Sequence, residues 1–386
     1  MARIVIGSYV VRFPVGGYLS WVLQWLVGFQ RLGHEVYFAE KSDRGSGCFD
    51  PSRNVTSNDC SYGTAVLNSV LARFGLQDRW CFVDGAGTYH GLSRKRIEEV
   101  FRSADLFVDM GSHGAWLPEA ERTGSRVLVD GEPGWRQMKM EISLAAGESL
   151  AEYDFYYTVG QNIGTPHSRA PTAGKCWRHV YDPVNVDLFP DAPPPPDALF
   201  TTVMSWQAHE PLHYQGTEYG QKDVEFEKFL ALPGLVETPL EIAVSGDVPR
   251  ERVRRAGWRV RGSIGLTLSF ESFVDYLRAS RGEFSVCKHV FVATNSGFFS
   301  ERSAAYLASG RPVVMQDTGF SAHLPCGRGL FAVRNVQEAA TAIREIQGDY
   351  ERHSRWAREV AGERLEATKV LAGFLKDIGI AGSPGG

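Results

Sequence analysis

The sequence predicts an α/β fold of two domains, each built on a mostly parallel sheet that is covered by helices. The chain of 386 residues is too long for one simple hydrophobic core. Short apolar segments alternate with helix-compatible segments, which is typical of parallel strands joined by helical crossovers. A proline-rich stretch, residues 181–196, ends in four consecutive prolines that can continue neither a helix nor a sheet. We therefore expect the linker between the two domains there.

The composition is that of a globular protein and argues against several function classes. Hydrophobic residues make up 43% of the chain and charged residues 22%, and the formal net charge of −4 disfavours a nucleic-acid partner. No apolar run approaches the roughly 18 residues that span a bilayer. The chain leads directly from Met1 into a strand. We expect a cytoplasmic protein without a transmembrane segment, and its oligomeric state stays open.

The cysteines are scattered along the chain and include no Cys-x-x-Cys pair. This spacing favours free thiols in a reducing compartment over a disulfide framework or a zinc site. We therefore expect no metal ion and no cofactor. The cysteines are Cys48, Cys60, Cys81, Cys176, Cys287 and Cys326.

The N-terminal half opens as a strand–helix–strand unit without a dinucleotide fingerprint. Residues 18–32 carry an apolar stripe at helical spacing, between strands predicted at 3–8 and 36–40. The first loop contains Gly16 and Gly17, which let a ligand approach the backbone, but no Gly-x-Gly-x-x-Gly. The other elements predicted in this half are a long polar loop at 41–63, a helix at 93–103, and strands at 80–84, 106–110, 126–130 and 155–159.

The segment 287–320 predicts a strand, a polar turn, a helix and a second strand. Residues 290–293 are apolar and β-rich, and residues 311–315 are the second such run. Between them, Ser300 can cap a helix, and Gly310 can end it in a left-handed conformation. The sequence therefore predicts a βαβ unit in this segment.

The start of this helix predicts an anion site. A helix that follows a strand through a Gly/Ser turn points free N–H groups and its positive dipole end above the sheet, which suits a phosphate group. Arg302 and Ser303 would add a fork of donors and a hydroxyl.

A resemblance to a known superfamily rests on this same segment. Residues 297–314 read Gly-Phe-Phe-Ser-Glu-Arg-Ser-Ala-Ala-Tyr-Leu-Ala-Ser-Gly-Arg-Pro-Val-Val, and residues 316–319 read Gln-Asp-Thr-Gly. This string resembles the donor-binding segment of GT-B glycosyltransferases. The resemblance implies two Rossmann-like domains that face a central cleft. A nucleotide-diphosphate sugar would bind mainly in the C-terminal half as co-substrate, and an acceptor in the N-terminal half.

The same resemblance implies a division of the chain. We expect an N-terminal acceptor-binding domain over residues 1–190 and a C-terminal nucleotide-sugar-binding domain over residues 191–365. Residues 366–386 would form a helix that crosses back to the first domain and a disordered tail.

The resemblance also implies donor contacts. A glycine-rich first loop often touches the donor in that superfamily, and retaining family-4 enzymes use a lysine that Lys222 matches in place. The arginine of that loop is missing here, and Gly297 and Ala305 occupy the two glutamate positions of the retaining enzymes. Stereochemistry therefore stays open. The predicted donor-binding residues are Gly16, Gly17, Lys222, Ser300, Glu301, Arg302, Ser303, Asp317, Thr318 and Gly319.

Polar clusters after the predicted strands supply catalytic and acceptor candidates. Asp109 stands close to His113 in sequence, and a carboxylate beside an imidazole can make a general base. Glu132 is the second candidate base. Asp130-Gly-Glu132 also resembles the acidic motif of metal-dependent GT-A enzymes, which would hold Mg²⁺ or Mn²⁺ against a diphosphate. The predicted acceptor-binding residues are Trp135, Arg136 and Asn162.

Together these observations predict a metal-independent, hexosyltransferase-like glycosyltransferase that acts on a small-molecule or glycan acceptor. Two alternatives stay open. One is a GT-B nucleotide-sugar epimerase, which needs no acceptor, and the other is a non-catalytic nucleotide-sugar or glycan-binding protein. On the transferase prediction, Arg302→Ala loses most turnover while the fold is kept.

Overall fold

The computed structural model describes residues 1–42 and 47–380. Its N-terminal half builds one large sheet and a small hairpin. The strands are β1 (Arg3–Gly7), β2 (Glu35–Lys41), β3 (Cys48–Asp50), β4 (Val55–Ser57), β5 (Trp80–Val83), β6 (Tyr89–Gly91), β7 (Leu106–Asp109), β8 (Ser125–Asp130), β9 (Phe155–Thr158) and β10 (Trp177–His179). The large sheet has the order β10-β9-β8-β7-β1-β2-β5-β6, and its pairs are parallel except β5 with β6.

The C-terminal half builds a second parallel sheet. Its strands are β11 (Phe200–Ser205), β12 (Leu212–Tyr214), β13 (Thr217–Tyr219), β14 (Leu240–Ser245), β15 (Arg259–Gly262), β16 (Gly282–Ser285), β17 (Val313–Gln316) and β18 (Leu330–Val333). The sheet has the order β15-β14-β11-β16-β17-β18, and β12 pairs with β13 in a separate hairpin. The α/β prediction, with a parallel sheet in each half, is therefore confirmed.

Helices cover both sheets, as expected for strands joined by crossovers. They are α1 (Gly16–Arg31), α2 (Ser61–Ala72), α3 (Arg94–Arg102), α4 (Trp135–Ala145), α5 (Lys222–Phe226), α6 (Arg250–Arg255), α7 (Phe270–Arg278), α8 (His289–Ala293), α9 (Glu301–Ala308), α10 (Val336–Gly348), α11 (Tyr350–Val360) and α12 (Ala367–Asp377). Within the described ranges, no helix combines the length and apolar character needed to cross a membrane.

The start of the segment 287–320 differs from its prediction. Residues 290–293 belong to helix α8, and the strand before α9 is β16, which lies earlier in the chain. Strand β16 contains Glu283, whose carboxylate is fully buried. A prediction that relies on apolar runs does not recognise a strand with a charged residue at its centre. The rest follows the prediction: Ser300 caps α9, and Gly310 has a positive φ of 66° after its end.

The polar segment 41–63 is more structured than the predicted loop. It contains the β3–β4 hairpin, and α2 begins at Ser61. Part of it, residues 43–46, lies outside the described residues. Hairpin strands this short carry too few residues for an alternating pattern to be recognised.

The two halves share one hydrophobic cluster, which runs from the first sheet to the second. Helix α12 lies on the N-terminal half, where Phe374 packs edge-on against Trp25 of α1 with 5.7 Å between ring centroids. Residues 381–386, which include the predicted tail, lie outside the described part of the chain. The domain boundaries at 190 and 365 remain predictions.

Candidate functional site

A cleft of about 620 Å³ lies between the two sheets and is lined from both halves. The N-terminal half contributes the loops after β1, β7 and β8 and the start of α1. The C-terminal half contributes the ends of β11, β14 and β16 and the start of α9. Ligands of parallel α/β sheets bind beyond the carboxyl ends of the strands, where these loops meet. This cleft is therefore the candidate site.

The start of α9 faces the cleft. Ser300, Glu301 and Arg302 line it, and the Arg302 backbone N–H donates to Ser300 Oγ over 3.2 Å. Ser303 is fully buried, and its hydroxyl contacts the sulfur of Met315 at 3.5 Å. Of the predicted donor residues at the start of α9, Ser300, Glu301 and Arg302 therefore lie at the cleft, and the Ser303 side chain lies in the core.

Arg302 is bound to the sheet beneath it. Its Nε donates to Glu283 over 2.7 Å, and its Nη2 donates to Ser285 Oγ over 2.6 Å. Burial is the largest single effect and disfavours the guanidinium charge, but the Glu283 and Glu301 carboxylates act together against it, and the pKa of Arg302 is raised. Part of its positive charge is therefore neutralised within the protein, and the predicted free fork of donors is partly used.

Lys222 at the start of α5 supplies a second cation to the cleft. No described carboxylate forms an ion pair with it. Burial, followed by the nearby Arg302 charge, lowers the pKa of Lys222 to about 7. The preceding Gln221 also lines the cleft and is 2% exposed. Among the described residues, neither atom of its amide has a hydrogen-bond partner. The Lys222 ammonium without a described carboxylate and the Gln221 amide without a described partner lie together here, which suits a polar or anionic ligand.

Three predicted donor residues after β17 lie outside the lining of the cleft. Asp317 accepts from Gly319 N and from Arg334, and Thr318 Oγ1 donates to Phe298 O over 2.6 Å. A side chain at Gly319 would clash with Asn295 Oδ1. These residues therefore support the turn that leads into α9.

The two glycines of the first loop separate. Gly17 lines the cleft, and a side chain there would meet nothing within 4 Å. Gly16 instead packs against α7: a side chain there would meet Phe273 Cβ and Ser269 O, each at 2.7 Å. Gly16 allows the two halves to approach closely and leaves the ligand side to Gly17.

Asp109 and His113 lie at the two ends of one loop, and only His113 reaches the cleft. The Asp109 carboxylate is fully buried and accepts hydrogen bonds from Gly111 N, Gly114 N and Tyr153 Oη. It shapes the loop after β7 and does not reach the cleft. His113 does line the cleft, in a left-handed conformation with φ of 51°. Asp109 thus positions the backbone that presents His113.

Asp130 and Glu132 point in different directions. Asp130 is fully buried and accepts from Gln137 Nε2 and from Arg136 Nε, at 2.8 and 3.2 Å, and burial raises its pKa. Glu132 lines the cleft and accepts from Lys288 Nζ at 2.5 and 2.6 Å. The carboxylates do not converge as the acidic motif of a GT-A metal site requires.

The acceptor candidates also divide. Trp135 and Arg136 line the cleft. The Trp135 ring stacks on His209 with 5.0 Å between centroids, and burial, then the Lys288 charge, lowers the pKa of His209. Asn162 lies outside the lining.

Asn162 joins the N-terminal half to the turn before α9. Its backbone N–H donates to Ser296 O over 3.0 Å, and its side chain donates to Asn295 O over 3.0 Å. The neighbouring Gln161 N–H donates to Gly297 O over 3.3 Å. We name this set of contacts the 161–297 junction.

Sequence reasoning missed Asp182 and Lys288, both of which line the cleft. Asp182 lies in the stretch interpreted as a linker, where it accepts from Trp21 Nε1 over 2.8 Å. Burial, followed by the Glu301 charge, raises the pKa of Asp182 to about 7. For Asp182, the only signal in the sequence was a carboxylate directly before a proline. Placing β16 correctly would have put Lys288 just beyond a strand end.

No known protein family matches the sequence, and no curated protein matches it. Solved structures do match. Anabaena HepE in complex with UDP-glucose has a TM-score of 0.59 at 11% identity, over 98% of this chain and 99% of that chain. Sucrose-phosphate synthase from Thermosynechococcus elongatus has a TM-score of 0.56 at 13% identity, over 97% of this chain and 99% of that chain.

An alpha-glucosyltransferase in complex with UDP matches similarly, with a TM-score of 0.57 at 10% identity, over 98% of this chain and 100% of that chain. Each match extends over both sheets and the cleft between them. At identities this low, the structural likeness establishes the architecture and nothing finer. The chain therefore has the GT-B fold of these glycosyltransferases, with two Rossmann-like domains facing a central cleft.

Proposed function

We propose that this protein is a glycosyltransferase that moves a sugar from a nucleoside-diphosphate sugar to an acceptor bound in the cleft. One observation carries the proposal: Lys222, without a described carboxylate partner, stands in the same cleft as the start of α9. An ammonium group and a helix N-terminus together suit the doubly charged end of an activated sugar.

Stabilisation of the leaving diphosphate would come from the C-terminal half. As the bond to the anomeric carbon breaks, negative charge grows on the diphosphate, and groups already aimed at it lower the barrier. The backbone amides of Ser300 and Glu301 and the Lys222 ammonium would supply this stabilisation, since the Arg302 amide already donates to Ser300 Oγ. On this proposal the reaction needs no metal ion, because the protein's own cations and amides offset the charge.

The proton acceptor would come from the N-terminal half. His113, Glu132 and Asp182 line the cleft. Replacing each by its neutral isostere (His113→Gln, Glu132→Gln, Asp182→Asn) should leave nucleotide binding in place. The variant that loses about 10²- to 10⁴-fold in turnover identifies the general base.

The likeness to HepE and to the alpha-glucosyltransferase, both solved with UDP, makes a uridine nucleotide the first donor to test. A thermal-shift panel of UDP, dTDP, GDP and CDP should show one clear stabiliser, because a ligand at about 100 times its dissociation constant adds roughly 2.7 kcal/mol. Lys222→Met should strongly reduce the shift. Lys95→Met, at an exposed position on α3, is the matched control.

A transfer assay with the corresponding nucleotide sugar and an acceptor panel completes the test. Release of nucleotide only when an acceptor is present supports the proposal. Release without any acceptor indicates the epimerase alternative, and tight binding without release indicates a binding protein. No shift with any nucleotide, or an equal shift in Lys222→Met, overturns the proposed donor site.

A further inference from the structure

We propose that Cys60, Asp84 and His90 form a binding site for a divalent transition-metal ion of the zinc type, outside the cleft. The three residues come from separate parts of the N-terminal half: the N-cap of α2, the turn after β5, and β6. Their ligand atoms all lie within 4.8 Å of one another. None of the three lines the cleft, so the site takes no direct part in the proposed transfer reaction.

The contacts of the His90 ring distinguish this cluster from a thiol–imidazole–carboxylate relay. A relay places the nucleophile and the carboxylate on opposite ring nitrogens. Here Nε2 alone faces both partners: Cys60 Sγ at 3.6 Å and Asp84 Oδ2 at 2.9 Å. One ring nitrogen carries at most one proton and cannot serve both groups as a donor. An ion placed between the three atoms would contact all of them.

The distance from Cys60 Sγ to His90 Nε2 matches zinc coordination, and the distance from Asp84 Oδ2 to His90 Nε2 is slightly too short for it. Bonds of about 2.1 Å to nitrogen and 2.3 Å to sulfur, at a tetrahedral angle, place these two atoms roughly 3.6 Å apart. The Cys60–His90 separation is 3.6 Å. The Asp84–His90 contact is a hydrogen bond, and it would need to lengthen by about half an ångström to admit the ion.

The surroundings of Asp84 hold its carboxylate ready. Its Oδ1 accepts from Ala86 N and Thr88 N, each at 2.9 Å. This leaves Oδ2 directed at His90, as backbone groups commonly orient a metal-binding carboxylate. Side chains of His90 and Asp84 are 32% and 19% exposed, so an ion and a water molecule as fourth ligand can enter from solvent.

The mixed set of donor atoms indicates the kind of ion. A thiolate sulfur with an imidazole nitrogen favours zinc, whereas Mg²⁺ and Ca²⁺ prefer sites made of oxygen atoms. The bound ion would tie the start of α2 to the β5–β6 turn. Because Phe49 of the β3–β4 hairpin lines the cleft only a short distance before Cys60, the ion would also steady that edge of the acceptor side.

The test uses the full chain without an affinity tag, stripped of metal with a chelator and titrated with Co²⁺ and Zn²⁺. We expect one ion per chain, a thiolate-to-cobalt charge-transfer band, and a higher melting temperature with Zn²⁺. Cys60→Ser should remove the band. His90→Gln, at a partly exposed position, should keep the fold while weakening affinity about tenfold or more.

Cys176→Ser and Cys48→Ser are the matched controls, because the first thiol is exposed and the second is buried close enough to Cys60 to interact with it. Both should keep the band. Absence of Co²⁺ binding, a band that survives in Cys60→Ser, a band lost in Cys48→Ser, or unchanged affinity in His90→Gln would each overturn the site. Nucleotide binding, measured separately, tests the proposed function and does not depend on these results.

Discussion

At the scale of single residues, we expect Lys222 to make the proposed nucleotide-sugar binding depend on pH. Its pKa of about 7 means that the free protein carries a largely neutral amine at pH 8. A bound diphosphate favours the charged form, so binding should take up a proton, and affinity should fall as pH rises above 7. Calorimetry at pH 8 in two buffers of different ionisation enthalpy measures this uptake.

A nucleotide sugar is the right ligand for that experiment, because its diphosphate does not titrate near neutral pH. Lys222→Met should show weaker binding and no proton uptake. Binding by the wild-type protein with no exchange of protons would show that Lys222 does not meet the diphosphate.

Arg302→Ala should unfold more easily than the wild-type protein, in contrast to the sequence-based expectation that the fold is kept. Removing the guanidinium leaves the fully buried Glu283 without its partner. Breaking a buried ion pair in this way costs about 3–5 kcal/mol. Urea unfolding of Arg302→Ala measures the loss. The double variant Glu283→Gln/Arg302→Ala should recover part of it, and equal stability of the two variants would contradict the account.

Asp182→Asn should become more stable, relative to the wild-type protein, as pH rises. In the unfolded chain the Asp182 carboxyl has a pKa of about 4, and burial raises it to about 7 in the folded state. The raised pKa therefore favours folding at low pH, and this contribution is lost as pH rises from about 4 to 7. Asparagine stays neutral and can still accept from Trp21. Urea unfolding at pH 5 and pH 8 tests whether the difference grows.

At the scale of helices and strands, Gly28 sets the spacing between α1 and α12. A side chain there would meet Leu371 Cδ1 at 2.5 Å and Ala367 Cβ at 3.0 Å. Gly28→Ala should force the helices apart and cost about 1–3 kcal/mol, the usual range for overpacking. Gly373→Ala, on the exposed face of α12 with nothing within 4 Å, should gain up to about 1 kcal/mol from helix propensity. Thermal unfolding of both variants measures these changes in stability. A Gly28→Ala variant as stable as the wild-type protein would contradict the packing argument.

Elements with strong local signals could be predicted from the sequence. Helix α9 has a serine cap and a left-handed glycine at its end, and the structure confirms both. Strand β16 has the opposite character, because among the described residues only the Arg302 side chain, 19 residues later in the chain, donates to the Glu283 carboxylate. The residues around Glu283 do not reveal this partner, and a prediction from apolar runs therefore assigns the strand to the residues of α8.

The site was less predictable than the fold for the same reason. The start of α9 could be placed from its turn and serine cap, and Lys222 from the resemblance to retaining GT-B enzymes. Asp317, Thr318 and Gly319 have residue types that suit ligand contact, yet the structure uses them to support a turn. Cys60, Asp84 and His90 meet only because α2 folds back onto the β5–β6 turn, and no sequence spacing shows this.

At the scale of the whole molecule, the architecture is shared with glycosyltransferases at identities of 10–13%. A parallel sheet tolerates wide substitution as long as each strand remains apolar and each crossover helix keeps its inner face. The fold therefore persists where sequence comparison finds no relative, and the donor, the acceptor and the base must be determined from the cleft itself.

The 161–297 junction has a mechanical consequence. It fastens the loop after β9 in the N-terminal half to the backbone shortly before α9. A rotation that separated the two halves at this edge would break these three hydrogen bonds. The ring pair of Trp135 and His209 and the bond from Tyr214 to Glu141 also join the halves. A rotation that pivots on the junction would instead leave the start of α9 fixed against the loop after β9. On the proposed function, the diphosphate would then stay held while the rest of the cleft widens.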